Sequence, residues 1–107
     1  MSPHVFHILL SLADHPRHGY GILLDVEERT GGRMVLGTGT VYSAIKRLRT
    51  LGWIVETEAP EGSDDDPRRI HYRLTKAGRR ELRQEAEQLQ AMVRQAQSRA
   101  VLPEGSR

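Results

Sequence analysis

The sequence predicts a mainly α-helical fold with a small β-hairpin wing and a long C-terminal helix. Three observations predict it. In residues 37–52, Val41, Ala44, Ile45, Leu48 and Leu51 recur at helical spacing and form one apolar stripe. Residues 53–58 and 68–74 then read as two strands around a loop rich in Pro, Gly, Ser and Asp. After Thr75, the residues Leu82, Ala86, Leu89, Val93, Ala96 and Ala100 alternate in steps of four and three, which is a heptad seam. A helix followed at once by a hairpin is the winged form of helix-turn-helix.

The elements follow in order. Helix one is expected over residues 3–13, with Ser2 as cap and Pro3 in the first position. Its Val5, Phe6, Ile8, Leu9, Leu10 and Leu12 leave only a narrow polar strip, so it is expected to be buried or to lie in a dimer contact, Phe6 included. Asp14 to Arg17 is a turn. Helix two runs from His18 or Gly19 to Arg29, with Ile22, Leu23 and Val26 inward, and the Thr30-Gly31-Gly32 run stops it. Met34-Val35-Leu36 is expected as a short strand beside the hairpin. Gly52 ends the third helix through a left-handed cap. Thr75 is placed to cap the fourth, which runs to about Ala100. Gly78 sits in the start of that helix, where glycine is costly, so close backbone packing is its expected reason.

The expected organisation is a winged helix-turn-helix over residues 1–75, a dimerisation helix over 76–102 and a disordered tail over 103–107. At ~1.5 Å per residue the last helix is too long to be covered by so small a body. Its seam residues Leu82, Leu89, Val93 and Ala96 are therefore expected to face a second copy.

Composition bounds the function. A chain of 107 residues with 37% hydrophobic content holds a modest core. Sixteen basic and 14 acidic residues leave a formal charge of only +2, so any nucleic-acid signal must lie in the local distribution. No cysteine is present, which excludes disulfides and thiolate metal sites in this chain. No apolar run approaches the ~20 residues that span a bilayer, and the N-terminus does not read as a secretory signal. A cytoplasmic protein is the expectation.

Catalysis is not expected. The chain has no Gly-x-x-x-x-Gly-Lys loop, no His-Glu-x-x-His and no cysteine nucleophile. Ser11, Asp14, His15 and His18 do not make a triad by type alone. His4 and His7 lie one turn apart without a third ligand nearby, and the 64–66 aspartates lack calcium-loop spacing, so neither metal nor cofactor is expected.

The third helix carries the functional signal. Opposite its apolar stripe stand Thr40, Ser43, Lys46, Arg47 and Thr50, and no acidic residue falls between Thr38 and Val55. Short polar side chains let a helix approach a major groove closely, while long cations reach phosphates and guanine edges. The expected groove-facing set is Thr40, Ser43, Lys46 and Arg47, with Arg47 on guanine or phosphate and Lys46 on phosphate. Gly39 would let backbone N–H groups approach a phosphate, or serve as a turn. The Tyr42 and Tyr20 hydroxyls would reach the DNA backbone, with core packing as the plainer alternative for each ring. His18 is expected as a cap or packing group, Trp53 in the core, and Tyr72 packed across the wing. Arg68 and Arg69, at the wing root, are expected on the backbone or minor groove. A solvated basic face, or a winged helix that binds a protein instead of DNA, would use the same residue types.

Four pieces together resemble the PadR family of bacterial transcriptional regulators. They are His18-Gly19-Tyr20-Gly21-Ile22, Gly39-Thr40-Val41-Tyr42, Leu48 with Leu51-Gly52-Trp53-Ile54, and Arg69-Ile70-His71-Tyr72-Arg73-Leu74-Thr75-Lys76-Ala77-Gly78. The resemblance spans about residues 5–85. It implies a homodimeric winged-helix repressor on a pseudo-palindromic duplex operator, often released by a small-molecule inducer. Such an inducer is expected between helices one and four. Two departures matter. The fourth helix has no aromatic residue, which argues against a flat aromatic drug pocket there. Asp64, Asp65 and Asp66 would be repelled by phosphate, so the wing tip should stay off the duplex or reach it only with a partner or cation.

Overall fold

The computed structural model describes residues 1–63 and 66–104. Among the described residues four helices and a small sheet run in the order α1 (Pro3–Ser11), β1 (Arg17–His18), α2 (Gly19–Arg29), α3 (Thr38–Thr50), β2 (Ile54–Thr57), β3 (His71–Leu74) and α4 (Lys76–Ser98). The sheet is antiparallel with strand order β1-β3-β2. β3 is central, setting Tyr72 between Arg17 and Glu56, and His71 between His18 and Thr57.

Local chemistry sets the helix ends. Ser2 accepts from the Val5 N–H and Pro3 opens α1. His18 caps α2 as expected, its Nδ1 accepting from the Gly21 N–H at 2.9 Å. Thr30 closes α2 by donating its hydroxyl to the Val26 carbonyl at 2.8 Å, and Gly31 and Gly32 follow with positive φ. Thr75 caps α4, accepting from the Gly78 N–H at 3.0 Å.

The apolar faces of α1, α2 and α3 meet in one core. Ile8, Leu9 and Leu12 pack with Ile22, Val26, Val41, Ile45 and Leu48, and Ile54, Tyr72 and Leu74 close the sheet side. Trp53 is half-buried against this cluster. A polar clamp ties α1 to α2. The Arg29 guanidinium donates to Asp25 (2.7 Å), to the His7 carbonyl (2.8 Å) and to the buried Ser11 hydroxyl (2.7 Å). Burial alone would raise the Asp25 carboxyl. The Arg29 hydrogen bond and the charges of Arg17 and Arg29 outweigh it and hold the group below the usual carboxylate range.

Several expectations need correction. α1 stops at Ser11, two residues short of the expected end. Met34–Leu36 is not a strand. The Met34 N–H is taken by the Thr30 hydroxyl at 3.0 Å, which folds the segment back over the end of α2. The third strand is Arg17–His18, from the end of the expected turn and the expected start of helix two. Leu51 lies just past the last turn of α3 and is 48% exposed, so it leaves the apolar stripe. Leu82 is buried in the protomer's own core, so it is not free to face a second copy. Ala100 lies outside α4 with a φ of 60°, which takes it off the seam. Of the expected tail, 105–107 lies outside the described residues.

The junction between α3, the sheet and α4 brings two stretches of backbone into direct contact. Gly52, at φ 78°, turns the chain out of α3. The Thr75 hydroxyl donates to the Gly52 carbonyl at 2.6 Å, and the Thr75 N–H donates to the Trp53 carbonyl at 3.0 Å. Gly78 packs its bare Cα on that same carbonyl: a Cβ there would overlap the Trp53 oxygen and stand 2.8 Å from its carbon. The obstacle is backbone, so it has little room to give. Gly78→Ala should therefore destabilise the fold by ~1–3 kcal/mol, despite the ~1 kcal/mol that alanine ordinarily gains over glycine in a helix. Urea unfolding of the variant reads this directly, and an unchanged midpoint would contradict it.

Candidate nucleic-acid interface

With Val41, Ala44, Ile45 and Leu48 turned inward, helical periodicity fixes what α3 shows to solvent. Gly39, Ser43, Lys46 and Thr50 lie along the outward line, all exposed. Thr40 and Arg47 flank it on one side, Tyr42 and Arg49 on the other. The two flanks open into different hollows. Gly39, Thr40, Ser43 and Arg47 line one of about 410 Å³ with His4 and Val5 of α1. Tyr42, Lys46, Arg49 and Thr50 line another of about 430 Å³ with Tyr72 of β3. The structure thus splits the expected groove-facing set: Ser43 and Lys46 point outward, whereas Arg47 leans toward α1.

The start of α3 is bare. Gly37 occupies the cap position without a side-chain hydrogen bond, so the first N–H groups lack a cap partner. A Cβ at Gly39 would meet nothing within 4 Å. The fold itself therefore has no steric need for glycine there, unlike at Gly78.

The two tyrosines occupy one region through two glycine-containing motifs. A Cβ at Gly19 would stand 2.6 Å from the Tyr42 ring, so the missing side chain of α2 makes room for the ring of α3. Tyr42 and Tyr20 are both exposed. The Arg69 guanidinium lies 5.7 Å from the centre of the Tyr20 ring and within 3.3 Å of the His18 ring nitrogens. His18, Tyr20, Thr38, Tyr42 and Arg69 line a groove of about 420 Å³ between the helix pair and the wing root.

Arg68 and Arg69 are not equivalent. Arg68 points into solvent and holds Asp66 in a forked pair at 2.9 and 3.2 Å. Hydrogen bonds from Arg68 keep the Asp66 carboxyl below its usual range. Arg69 turns back onto α2. Asp64 and Asp65 lie outside the described residues.

The sequence reading missed three participants. Arg49 lies on the exposed face of α3 and pairs with Glu56 of β2 at 2.8 Å; its helical position alone placed it beside Lys46. His71 is buried under the His18 ring, the centroids 5.2 Å apart and edge to face. Burial raises the Tyr72 hydroxyl above its usual range, opposed by the charge of Arg49, since this ring forms the floor between α3 and the wing. Met92 stands exposed beside Leu89 and Val93 on α4. Among the described residues no group of three or more His, Cys, Asp or Glu is arranged to hold a metal ion. No described helix is long and apolar enough to cross a membrane.

Comparison with known proteins agrees with this geometry. Residues 8–84 match the model of the transcriptional regulator PadR-like family. An uncharacterized 37.1 kDa protein in a Streptomyces fradiae transposon is 37% identical over 79 residues, 74% of this chain. The chain spans only about a fifth (21%) of that relative's length. A PadR family transcription regulator from Clostridium difficile superposes with a TM-score of 0.73 at 26% identity, over 94% of this chain and 100% of that one. Bacillus subtilis PadR, solved in complex with operator DNA, superposes with a TM-score of 0.66 at 24% identity, over 80% of this chain and 48% of that one. A winged helix-turn-helix with the matched segment running from α1 through the start of α4 places this chain in the PadR-like family of transcriptional regulators.

Proposed function

We propose that this chain is a sequence-specific DNA-binding transcription regulator that acts as a homodimeric repressor. The observation that carries the reading is the outward line of α3. It combines a glycine its own fold leaves open, short polar side chains, exposed Lys46 and Arg47, and no acidic residue. That surface suits a major groove, with Ser43 and Lys46 deepest, Arg47 and Thr40 on one wall, and Tyr42 on the other. Tyr20 and Arg69 would meet the backbone at the wing root. Arg68 would reach it only by exchanging Asp66 for a phosphate. The operator complex of Bacillus subtilis PadR supports DNA as the partner.

The distal half of α4 supports the dimer. The molecule measures 51 × 28 × 27 Å, and its long axis accommodates the ~34 Å of a 23-residue helix. Only the first part of α4 is covered by its own domain. Leu89, Met92 and Val93 remain 36%, 54% and 46% exposed, with Ala96 half-buried one turn further. This apolar face fits a second copy; Phe6 of α1, also expected in the dimer contact, packs partly buried on the protomer's own core. The dimer would set two α3 helices about one DNA turn, ~34 Å, apart on an inverted repeat. The reading keeps an inducer between α1 and α4; the cavity of about 170 Å³ among Val5, Arg47, Leu48, Leu51 and Trp53 lies instead between α1 and the end of α3. The reading sets the protein to work where the chromosome is, in the cytoplasm. It makes residues 1–75 the DNA-reading unit and the part of α4 beyond Leu82 the dimer contact.

Gly39→Ala separates function from folding. Alanine should raise stability by up to ~1 kcal/mol while weakening duplex binding, because the new methyl occupies the space a phosphate or base edge needs. Paired urea melts and duplex titrations check both halves; unchanged affinity would remove Gly39 from the interface. For the dimer, Leu89→Asp should yield monomers in sedimentation equilibrium and lose most duplex affinity. A dimeric Leu89→Asp variant with full affinity would rule out this face of α4. A protein-binding winged helix would show no duplex affinity and no steep salt dependence.

A further inference from the structure

We propose that Gly19 is a positioning residue for DNA binding, whose missing side chain holds the Tyr42 ring where its hydroxyl meets a backbone phosphate. The inference rests on the DNA-binding reading above. Gly19 is the first residue of α2 and is buried. Its φ is not positive, so the backbone itself does not call for glycine there. A Cβ at this position would stand 2.6 Å from Cζ of Tyr42 and 2.7 Å from both its Cε1 and its hydroxyl oxygen. Non-bonded carbon atoms sit best at ~3.5–4.0 Å, so the ring occupies the space of the absent side chain. The notch in α2 thus fixes where a side chain of α3 lies.

Three glycines differ in what faces them. Gly78 faces backbone and Gly39 faces open space, whereas Gly19 faces the far end of a movable side chain. The fold can therefore accept a methyl at Gly19, but only by displacing Tyr42. That ring is half exposed and lines two hollows, one with Lys46 and Arg49, the other with Tyr20, Thr38 and Arg69. No described residue hydrogen-bonds its hydroxyl. The fold holds the ring and leaves the polar end for another partner. Tyr20, Thr38 and Arg69 bring further donors to the same hollow, a set that suits a phosphate.

The consequence is preorganisation. A ring with two torsions, already seated in a notch, loses little freedom when its hydroxyl meets a phosphate. A methyl at Gly19 closes the α2 side, so the ring yields toward solvent, the side from which a duplex approaches. The hydroxyl then leaves its place. Phosphate contacts carry no sequence information, and a neutral hydroxyl releases no counterion. The loss should therefore be the same on every sequence and leave the salt dependence unchanged.

The test compares the full-length wild type with Gly19→Ala, Tyr42→Phe, Tyr42→Ala and the Gly19→Ala, Tyr42→Ala double variant. Each is titrated against a labelled random-sequence duplex pool and against a duplex selected from that pool by the wild type, over a range of salt. Thermal melts establish which variants fold. Gly19→Ala and Tyr42→Phe should each weaken binding to both duplexes by about tenfold, the low end for a hydrogen bond to a charged group, with an unchanged log–log salt slope. In the Tyr42→Ala background, Gly19→Ala should change affinity no further. A further loss in that background would mean that the methyl meets DNA itself or acts through another element. Unchanged affinity in Gly19→Ala or Tyr42→Phe, or a loss confined to the selected duplex, would equally overturn the proposal. So would a Gly19→Ala chain that unfolds while the double variant folds, which would assign the notch to the fold alone. All these results leave DNA binding intact. A wild type that binds neither duplex would overturn the DNA-binding reading itself.

Discussion

The Trp53 carbonyl is the point at which the reading helix, the wing and the long helix are joined. It accepts from the Thr75 N–H and lies against the bare Cα of Gly78, while the Thr75 hydroxyl links the neighbouring Gly52 carbonyl to the Gly78 N–H. Two backbone segments, Gly52–Trp53 and Thr75–Gly78, thus meet directly, with only the Thr75 hydroxyl between them. Contacts of this kind have few alternative packings, so the axis of α4 is held at one angle to α3. A homodimer built on α4 would inherit that angle, and the distance between its two α3 helices follows from it. The glycine, threonine and tryptophan of this junction never need to touch DNA to govern how it is bound.

A second layer of control is electrostatic. The interface cations differ in how freely they are held. Among the described residues Lys46 and Arg47 have no carboxylate partner, Arg69 rests on Tyr20 and His18, and Arg49 and Arg68 each carry a carboxylate partner. A formal charge of only +2 is consistent with a surface in which basic groups are matched rather than massed. Such a surface binds nucleic acid modestly by charge alone and leaves more of the selection to fit.

Much of this was legible in the sequence because it rests on periodicity and on local chemistry. Val41, Ala44, Ile45 and Leu48 define the buried side of α3 by spacing. Ser2, His18 and Thr75 act as caps through hydrogen bonds to residues three positions away. What was not legible depends on partners distant in sequence. Arg17–His18 became a strand because β3 lies beside it, a pairing across more than fifty residues. Leu82 carried the same heptad signal as Leu89, yet the folded domain covers one and leaves the other open. The Arg49–Glu56 pair joins two elements whose relative placement periodicity does not encode. The same holds for the Gly19–Tyr42 contact, which unites two motifs that read separately along the chain.

The most direct measurement is selection of bound duplexes from a random pool by the purified full chain, followed by salt titration of the enriched sequences. Two α3 helices held by a common α4 contact predict an inverted repeat with half-sites about one helical turn apart and a steep linear fall of log affinity with log salt. An absence of enrichment, or binding that ignores salt, would contradict the assignment of α3 as a DNA-reading helix.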